Sequence, residues 1–219
     1  MTCLLLAAYV SPVHAGVITK ADSVTTTMGS WASSTNSFDI NNIINESGLV
    51  TPYASGIDDF DTYLASSGSL AKHDYVATGN EWFADHQTTG SITFDLGSAY
   101  NIDKIAIWNE DSQGIANFNL FSSTDNISWV PIGGLFTASD NDIFVNYTAD
   151  VFTLPSTTLA QYVRIDVLTN YANTNQPGFF VASLGEVAFS TTKPVPEPAS
   201  LLLLGSGLLG LAGMRRKKK

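Results

Sequence analysis

Few side chains in this 219-residue chain are able to do metal or acid–base chemistry. Beyond residue 15 the histidines are His73 and His86, and the single cysteine is Cys3. A zinc site needs more nitrogen or sulfur ligands than these, at suitable spacing. A Ser-His-Asp triad stays open, although the chain has no Gly-x-Ser-x-Gly nucleophile elbow. Carboxylate pairs suited to glycoside hydrolysis occur by chance in so acidic a chain, so we expect no enzyme.

Binding chemistry has more candidates. Asp58, Asp59 and Asp61 are close enough in sequence to share a cation, although a solvated acidic loop is the simpler interpretation. Aromatic rings can stack on sugar rings, and rings in loops with polar neighbours are the favoured ligand candidates. Packing within the loop is the alternative for each. The candidates are Tyr53, Phe60, Tyr63 and His73 in the early loops, and Tyr171 and Phe179 in the loop 170–180.

Short β-strands are expected to position these loops. Apolar and polar residues alternate in short runs that end on turn residues, which is the pattern of half-buried strands. Such runs recur every 8 to 12 residues or so, as in a β-sandwich. The predicted strands cover residues 92–97, 102–108, 118–122, 129–132, 143–149, 151–154, 160–168 and 184–189.

The first part of the chain is less regular. Residues 16–35 are rich in Ser and Thr and form either a first strand or an unstructured lead. Residues 51–79 are rich in Ser, Gly and Asp, which predicts a long loop region. No helix longer than a turn or two is predicted between the two ends of the chain. The sequence therefore predicts an all-β fold.

Five blocks of sequence, in this order and spacing, resemble the discoidin or coagulation factor V/VIII type C domain. The resemblance implies a galactose-binding-like jelly-roll β-sandwich over residues 36–190, a fold that many bacterial carbohydrate-binding modules also use. The blocks are Ile-Thr-Phe-Asp-Leu-Gly (92–97), Ile-Asp-Lys-Ile-Ala-Ile-Trp-Asn (102–109), Phe-Ser-Ser-Thr-Asp-Asn-Ile-Ser-Trp (121–129), Ala-Gln-Tyr-Val-Arg-Ile-Asp-Val (160–167) and Leu-Gly-Glu-Val-Ala-Phe (184–189).

The same resemblance implies a structural Ca²⁺. Glu186 stands where the family's final Glu often helps to bind the ion, and the partners come from the early Asn-rich stretch, here Asn41, Asn45 and Glu46. Such oxygen donors suit Ca²⁺. This chain has Asn45-Glu46 in place of the family's common Asp-Gly pair. The alternative is that Glu186 caps a loop by accepting backbone N–H groups.

Three of the four tryptophans match framework positions of the family. Trp108 and Trp129 are therefore expected in the core, Trp82 matches a framework position just before the regular strands, and Trp31 has no assigned place. Loop aromatics remain the better ligand candidates.

The C-terminal 25 residues resemble the PEP-CTERM sorting signal that exosortases recognise. Pro196, Glu197 and Pro198 keep the chain extended ahead of the apolar run 199–214. That run is about 24 Å long as a helix, slightly short of the roughly 30 Å core of a bilayer. The resemblance implies a cut near Glu197, and a plain membrane anchor is the alternative. The basic stop is Arg215, Arg216, Lys217, Lys218 and Lys219.

The N-terminus has the pattern of a signal peptide over residues 1–15. Residues 4–10 are apolar, and Val13-His14-Ala15 fits a cut after Ala15. Cys3 lies within this segment rather than just after the cut, so we expect no lipidation. A short linker, 191–198, joins the sandwich to the tail segment.

The charge distribution excludes some partners. The chain has a net charge of −10, and five of its ten basic residues lie in the tail, so the domain between the signals is more acidic than the whole. Nucleic acid and anionic lipid are excluded as partners, whereas cations such as Ca²⁺ are attracted.

We expect an exported surface or matrix protein, transiently held at the inner membrane and processed by an exosortase. Its sandwich would bind extracellular glycan or exopolysaccharide without catalysis; the alternatives are a structural or adhesive matrix protein and, third, a glycan-active enzyme.

Overall fold

The computed structural model describes residues 16–31, 38–65, 71–171 and 180–193. Outside these ranges lie the predicted signal peptide, which ends at Ala15, the candidate ligand residue Phe179 and the sorting tail. Within these ranges a 3₁₀-helix covers Ile40–Ile44 and a short helix, α1, covers Phe60–Ala65. The strands are β1 (Val17–Thr19), β2 (Ser23–Thr26), β3 (Lys72–His73), β4 (Trp82–Phe83), β5 (Gly90–Trp108), β6 (Asn117–Ser123), β7 (Val130–Thr137), β8 (Tyr147–Thr148), β9 (Asp150–Val167), β10 (Ser183–Leu184) and β11 (Glu186–Thr192).

One antiparallel sheet with the order β1-β11-β5-β9-β6-β7 makes the frame, and β2 also pairs with β5. The long strands β5 and β9 pair along their whole length, from Gly90 opposite Val167 to Ile107 opposite Asp150. Their register shifts near the middle, where Gly97 has a φ of 73° that favours glycine. On either side of these shifts β5 has different neighbours, β2 beside its first part and β11 beside its second, so the sheet forms two layers.

The main core fills the space between these two layers. Phe94 of β5 meets Phe189 of β11 edge to face, with ring centroids 5.5 Å apart. Phe118 of β6 meets Phe152 of β9 in the same way at 5.2 Å. All-β sandwich architecture, as predicted from the sequence, is therefore confirmed.

Two pairs of predicted strands are single strands in the structure. The segments 92–97 and 102–108 both belong to β5, and 151–154 and 160–168 both belong to β9. The turn residues between them, which predicted a strand end, instead accommodate the bend. Bulges of this kind bend strands without ending them.

Other strand boundaries also differ. The strand predicted over 143–149 is reduced to Tyr147–Thr148, because residues 143–145 turn and Phe144 has a φ of 61°. The strand predicted over 129–132 continues to Thr137. The last predicted strand, 184–189, is divided at Gly185 into β10 and β11.

The beginning of the chain is part of the sheet. Residues 16–35, for which both a strand and an unstructured lead were open, contribute β1 against β11 and β2 against β5. The region 51–79, predicted as a loop, contains α1 and β3. These segments cover the outer face of one layer.

A second apolar cluster lies under that cover, so the β1-β11-β5 layer is buried on both faces. Its members come from the outer face of the layer and from the segments above it: Ile18, Leu49, Tyr53, Phe60, Ala106, Trp108, Tyr147 and Ala188. Among the residues that the structure describes, no helix is long and apolar enough to cross a membrane.

Candidate binding site at one end of the sandwich

Several loops meet at one end of the sandwich and are held to one another by backbone hydrogen bonds. Ala138 N–H, after β7, donates to the carbonyl of Ala116 at 2.9 Å, and Tyr171 N–H, after β9, donates to Gly114 at 2.8 Å. Ser183 N–H, in β10, donates to Gln113 at 3.2 Å. The loop 109–116 between β5 and β6 is therefore at the centre of this end.

Two acidic residues of that central loop are almost fully buried. Glu110 is 3% exposed and accepts hydrogen bonds from Ser112 N–H at 3.0 Å, Ser112 Oγ at 2.8 Å and Ser183 Oγ at 2.7 Å. Asp111 is 5% exposed, and its Oδ2 accepts from Phe144 N–H at 2.5 Å. Burial, followed by a hydrogen bond with Glu110, raises the pKa of Asp111 to about 7.

A third buried carboxylate, Glu81, reaches the same place from the residue before β4. Its Oε1 accepts from the Tyr147 hydroxyl at 2.5 Å, and one oxygen each of Glu81, Glu110 and Asp111 lie within 4.8 Å of one another. Burial raises the pKa of Glu81 well above its usual range, and repulsion from Glu110 adds to the shift. The three side chains form one buried acidic cluster, hereafter the acidic cluster.

His73 packs beside this cluster rather than donating to it. The His73 ring stacks on Tyr147 with centroids 5.0 Å apart, and its Nδ1 lies 2.7 Å from the backbone carbonyl of Asp74. A carbonyl accepts only, so Nδ1 carries the proton. Burial lowers the pKa of His73 to about 4, so the ring is neutral at physiological pH.

Exposed aromatic rings border the cluster. Tyr75 and Phe144 are 41% and 66% exposed and meet edge to face with centroids 6.3 Å apart. The positive φ of Phe144 is rare for a bulky residue, and the same residue's N–H holds Asp111. We call Tyr75 and Phe144 the aromatic rim.

A family model of the F5/8 type C domain matches residues 61–180. The chain belongs to the F5/8 type C domain family. A second model, of the PEP-CTERM protein-sorting motif, matches residues 194–217. That motif indicates export and sorting to the cell surface. Both resemblances seen in the sequence are thereby confirmed.

The chain is similar to several solved structures, and the likeness to the first of those named here supports the same fold. A fragment of a candidate chitobiase from Bacteroides thetaiotaomicron is 13% identical, with 86% of this chain and all of that chain covered and a TM-score of 0.52. The CBM32 of AlyQ in complex with 4,5-unsaturated mannuronic acid is 20% identical, with 78% and 96% covered and a TM-score of 0.49. The family 32 CBM of C. perfringens NanJ in complex with galactose is 13% identical, with 79% and 98% covered and a TM-score of 0.49. No curated protein matches the chain.

The structure brings together only some of the residues that the sequence predicted as Ca²⁺ ligands. Glu186 and Glu46 meet, because Glu186 Oε2 accepts from Glu46 N–H at 2.9 Å. Asn41 donates to Asp39 at 2.6 Å, and Asn45 Oδ1 accepts from Ser47 N–H at 2.9 Å, so both amides bond within their own loop. Lys20 Nζ also lies 2.9 Å from Glu46 Oε1. The hydrogen bond from Glu46 N–H to Glu186 is the kind of contact that the loop-capping alternative predicted, and a cation at these residues stays a prediction.

Most of the loop aromatics predicted as ligand contacts are packed inside the domain. Tyr53, Phe60 and His73 are 4%, 1% and 0% exposed, so none presents a ring face to a glycan in this structure. Tyr63 is half-buried, with its hydroxyl on the Thr51 carbonyl at 2.7 Å. Tyr171 is also half-buried and donates to the Ala138 carbonyl at 2.7 Å.

The tryptophans divide into two kinds. Trp82 and Trp108 are fully buried, as expected for framework residues. Trp129 is not in the core: it is half-buried, and the Arg164 guanidinium lies 4.6 Å from its ring centroid. The same guanidinium also lies 4.7 Å from the ring centroid of Phe121. Trp129 therefore packs on a surface arginine, which is a cation–π contact.

The acidic cluster and the aromatic rim were not predicted from the sequence. One signal was present: residues 109–113, Asn-Glu-Asp-Ser-Gln, are five polar residues directly after an apolar strand, and all five are buried. Nothing in the sequence indicates that Glu81 joins them, because their contact depends on the tertiary fold.

Proposed function

We propose that this is an exported surface or matrix protein whose F5/8 type C domain binds extracellular glycan, without catalysis, at the end carrying the aromatic rim. The observation that carries the proposal is the pair Tyr75 and Phe144, two large rings left exposed and in contact beside buried polar groups. Glycan sites combine ring faces with a few fixed polar groups. An exposed bulky residue at positive φ is also a strained conformation of the kind found at functional sites.

The family and the sorting motif support the same proposal. The two family 32 CBMs to which the chain is similar were solved in complex with carbohydrate ligands, 4,5-unsaturated mannuronic acid in one and galactose in the other. The PEP-CTERM motif supports processing by an exosortase after a transient stay at the inner membrane. A protein delivered to the cell surface meets polysaccharide there.

The position of the carboxylates supports binding rather than hydrolysis. A glycosidase places two carboxylates on either side of the scissile bond. Glu81, Glu110 and Asp111 are at most 5% exposed and lie within 4.8 Å of one another, so a sugar cannot be placed between them without opening the loops. Two exposed carboxylates outside the acidic cluster, Asp140 and Asp142, lie in the same loops and disfavour uronate and sulfate groups. We therefore propose a neutral glycan.

The test is a glycan array of neutral and uronate-containing polysaccharides, probed with the purified protein and followed by titration of any ligand found. Tyr75→Ala and Phe144→Ala should each weaken binding by roughly twofold to tenfold, the value of one aromatic contact of about 0.5–1.5 kcal/mol. Leu135→Ala, at another exposed apolar residue in β7, should leave affinity unchanged.

A third arm uses a second aromatic surface, the half-buried Trp129 that packs on Arg164. Trp129→Ala should not change affinity if the aromatic rim is the site. Loss of binding in Trp129→Ala alone would place the glycan on the Trp129–Arg164 surface instead. Binding to no glycan would favour the structural or adhesive alternative.

A further inference from the structure

The acidic cluster brings three buried carboxyl groups together where the protein offers little to balance a charge on them. Glu81, Glu110 and Asp111 are 0%, 3% and 5% exposed. In the part of the chain that the structure describes, their only ion-pair contact is between Glu81 and His73 Nδ1 at 3.7 Å. That histidine is neutral. Buried charges are costly unless they are paired or coordinate a metal.

Unpartnered polar atoms at the same place point independently to a missing ligand. Glu81 Oε2 belongs to a fully buried side chain of the cluster and has no hydrogen-bond partner. Gln113, whose backbone N–H donates to Glu110, is also fully buried, and neither its amide oxygen nor its amide nitrogen has a partner. Buried polar groups in native proteins are bonded in about nine cases of ten or more. Three unsatisfied side-chain atoms, on one member of the cluster and on the residue whose backbone bonds to another member, are therefore unusual.

We propose that Glu81, Glu110 and Asp111 bind a divalent cation, with the amide oxygen of Gln113 as the fourth donor. The donors are all hard oxygens, which suit Ca²⁺ above the softer transition metals. His73 is not counted among the donors, because the ring nitrogen nearest Glu81 is the protonated Nδ1, whereas the unprotonated Nε2 lies against Gly48 and Gly185. Ca²⁺ takes six to eight oxygens, so water or a bound hydroxyl group completes the shell.

The proposed ion joins segments that are distant in the chain. Glu81 precedes β4, whereas Glu110 and Asp111 follow β5, and Asp111 also accepts the N–H of Phe144 from the loop before β8. An ion here fixes the base of the aromatic rim. The cation site does not depend on glycan binding, so the two proposals are tested separately.

The experiment measures thermal unfolding and terbium luminescence of the purified protein, first stripped with EDTA and then titrated with Ca²⁺ or Tb³⁺. At a Ca²⁺ concentration about tenfold above Kd, Tm should rise by roughly 3–6 °C. Trp82 adjoins Glu81 in the chain, so excitation of tryptophan should sensitise emission from bound Tb³⁺.

Two carboxylate-to-amide variants test the ligands without removing side-chain volume. Glu81→Gln and Asp111→Asn should each abolish the rise in Tm and weaken Tb³⁺ binding at least tenfold. In EDTA both variants should be at least as stable as the unchanged protein, because each removes repulsion among buried carboxylates. The control, Glu186→Gln, should keep both the rise and the emission.

Three results would overturn the proposal. The first is a rise in Tm that disappears in Glu186→Gln but persists in Glu81→Gln and Asp111→Asn, which assigns Ca²⁺ to the Glu46–Glu186 contact. The second is no Ca²⁺ or Tb³⁺ response in the unchanged protein. The third is a variant that loses stability in EDTA and keeps the response, which would make the cluster a hydrogen-bonding element only.

Discussion

Glu186 accepts a hydrogen bond from the backbone N–H of Glu46, with 2.9 Å between Oε2 and the nitrogen. The bond joins the first residue of β11 to the loop after the 3₁₀-helix, across 140 positions of sequence. Tyr53 lies near the other oxygen, its hydroxyl 3.5 Å from Oε1. The last strand thus holds the early loop in place.

Loss of this acceptor should destabilise the domain. Glu186→Ala leaves the Glu46 N–H without its partner, which costs about 1–3 kcal/mol. Burial raises the pKa of Glu186 well above its usual range, so a neutral amide resembles the form that the fold favours. Glu186→Gln should therefore cost less than Glu186→Ala in urea unfolding. The opposite order would show that the charge, rather than the acceptor, matters.

Glu46 occupies a conformation that suits glycine. Its φ is +65°, and a side chain there costs about 1–2 kcal/mol. Glu46→Gly and Glu46→Ala both remove the ion pair with Lys20, but only the glycine variant relieves the backbone. We expect Glu46→Gly to be the more stable of the two by about 1 kcal/mol in denaturant unfolding.

The neighbouring residue supplies the control for that comparison. Asn45 has a φ of −112°, where glycine brings no relief and adds entropy to the unfolded chain. Asn45→Gly should therefore be less stable than Asn45→Ala. The same order at both positions would contradict the conformational explanation.

The sequence predicted the β-sandwich well, because the alternation of apolar and polar residues along a strand indicates directly which face of that strand is buried. The resemblance to the family placed Trp108 correctly in the core and Trp82 at a buried framework position, but it was wrong for Trp129, which is half-buried. The sequence predicted two strands each in place of β5 and β9, because a turn residue such as Gly97 is found both at a bend within a strand and at the end of a strand. Local pattern cannot distinguish the two.

The binding site was less predictable for a physical reason. Tyr53 and Phe60 lie in a polar stretch of the sequence, and their burial depends on the outer face of the β1-β11-β5 layer being apolar as well as its inner face. The acidic cluster likewise depends on contact between residues 81 and 110–111. Such contacts between distant segments have no local signal in one sequence.

The turn between β6 and β7 should make stability depend on pH. Asp125 Oδ1 accepts N–H groups of Ser128 at 2.8 Å and Ile127 at 2.9 Å. These bonds lower the pKa of Asp125 to about 2, and the bond from Ser128 makes the largest contribution. A folded pKa below the unfolded one stabilises the fold above about pH 4, and the effect is lost as pH falls towards about 2.

Asp125→Asn keeps the oxygen acceptor and removes the charge. We expect a lower Tm than that of the unchanged protein near neutral pH, and a difference that shrinks as the pH is lowered below about 4. Thermal scans over this range provide the measurement. A difference that stays constant with pH would mean that the charge of Asp125 does not stabilise this turn.

Trp108 and Trp129 should respond very differently to truncation. Trp108 is fully buried, and its indole N–H donates to the Ala71 carbonyl at 2.8 Å, so Trp108→Ala should cost about 3–5 kcal/mol. Trp129→Ala removes a half-exposed ring and its contact with Arg164, worth about 0.5–1 kcal/mol. Denaturant unfolding of the two variants compares them directly. Equal costs would contradict the surface position of Trp129.

The sorting motif predicts the end of the mature protein. The match covers residues 194–217 and includes Pro196, Glu197 and Pro198. The apolar run and basic stop would hold the chain at the membrane until a cut near Glu197 releases the domain. Intact mass of the extracellular form should therefore show no residues after about Pro198. Glu197→Ala should leave a longer, membrane-associated form, and recovery of Lys219 on a stable membrane-bound form, in cells that have an exosortase, would leave a plain anchor as the function of this segment.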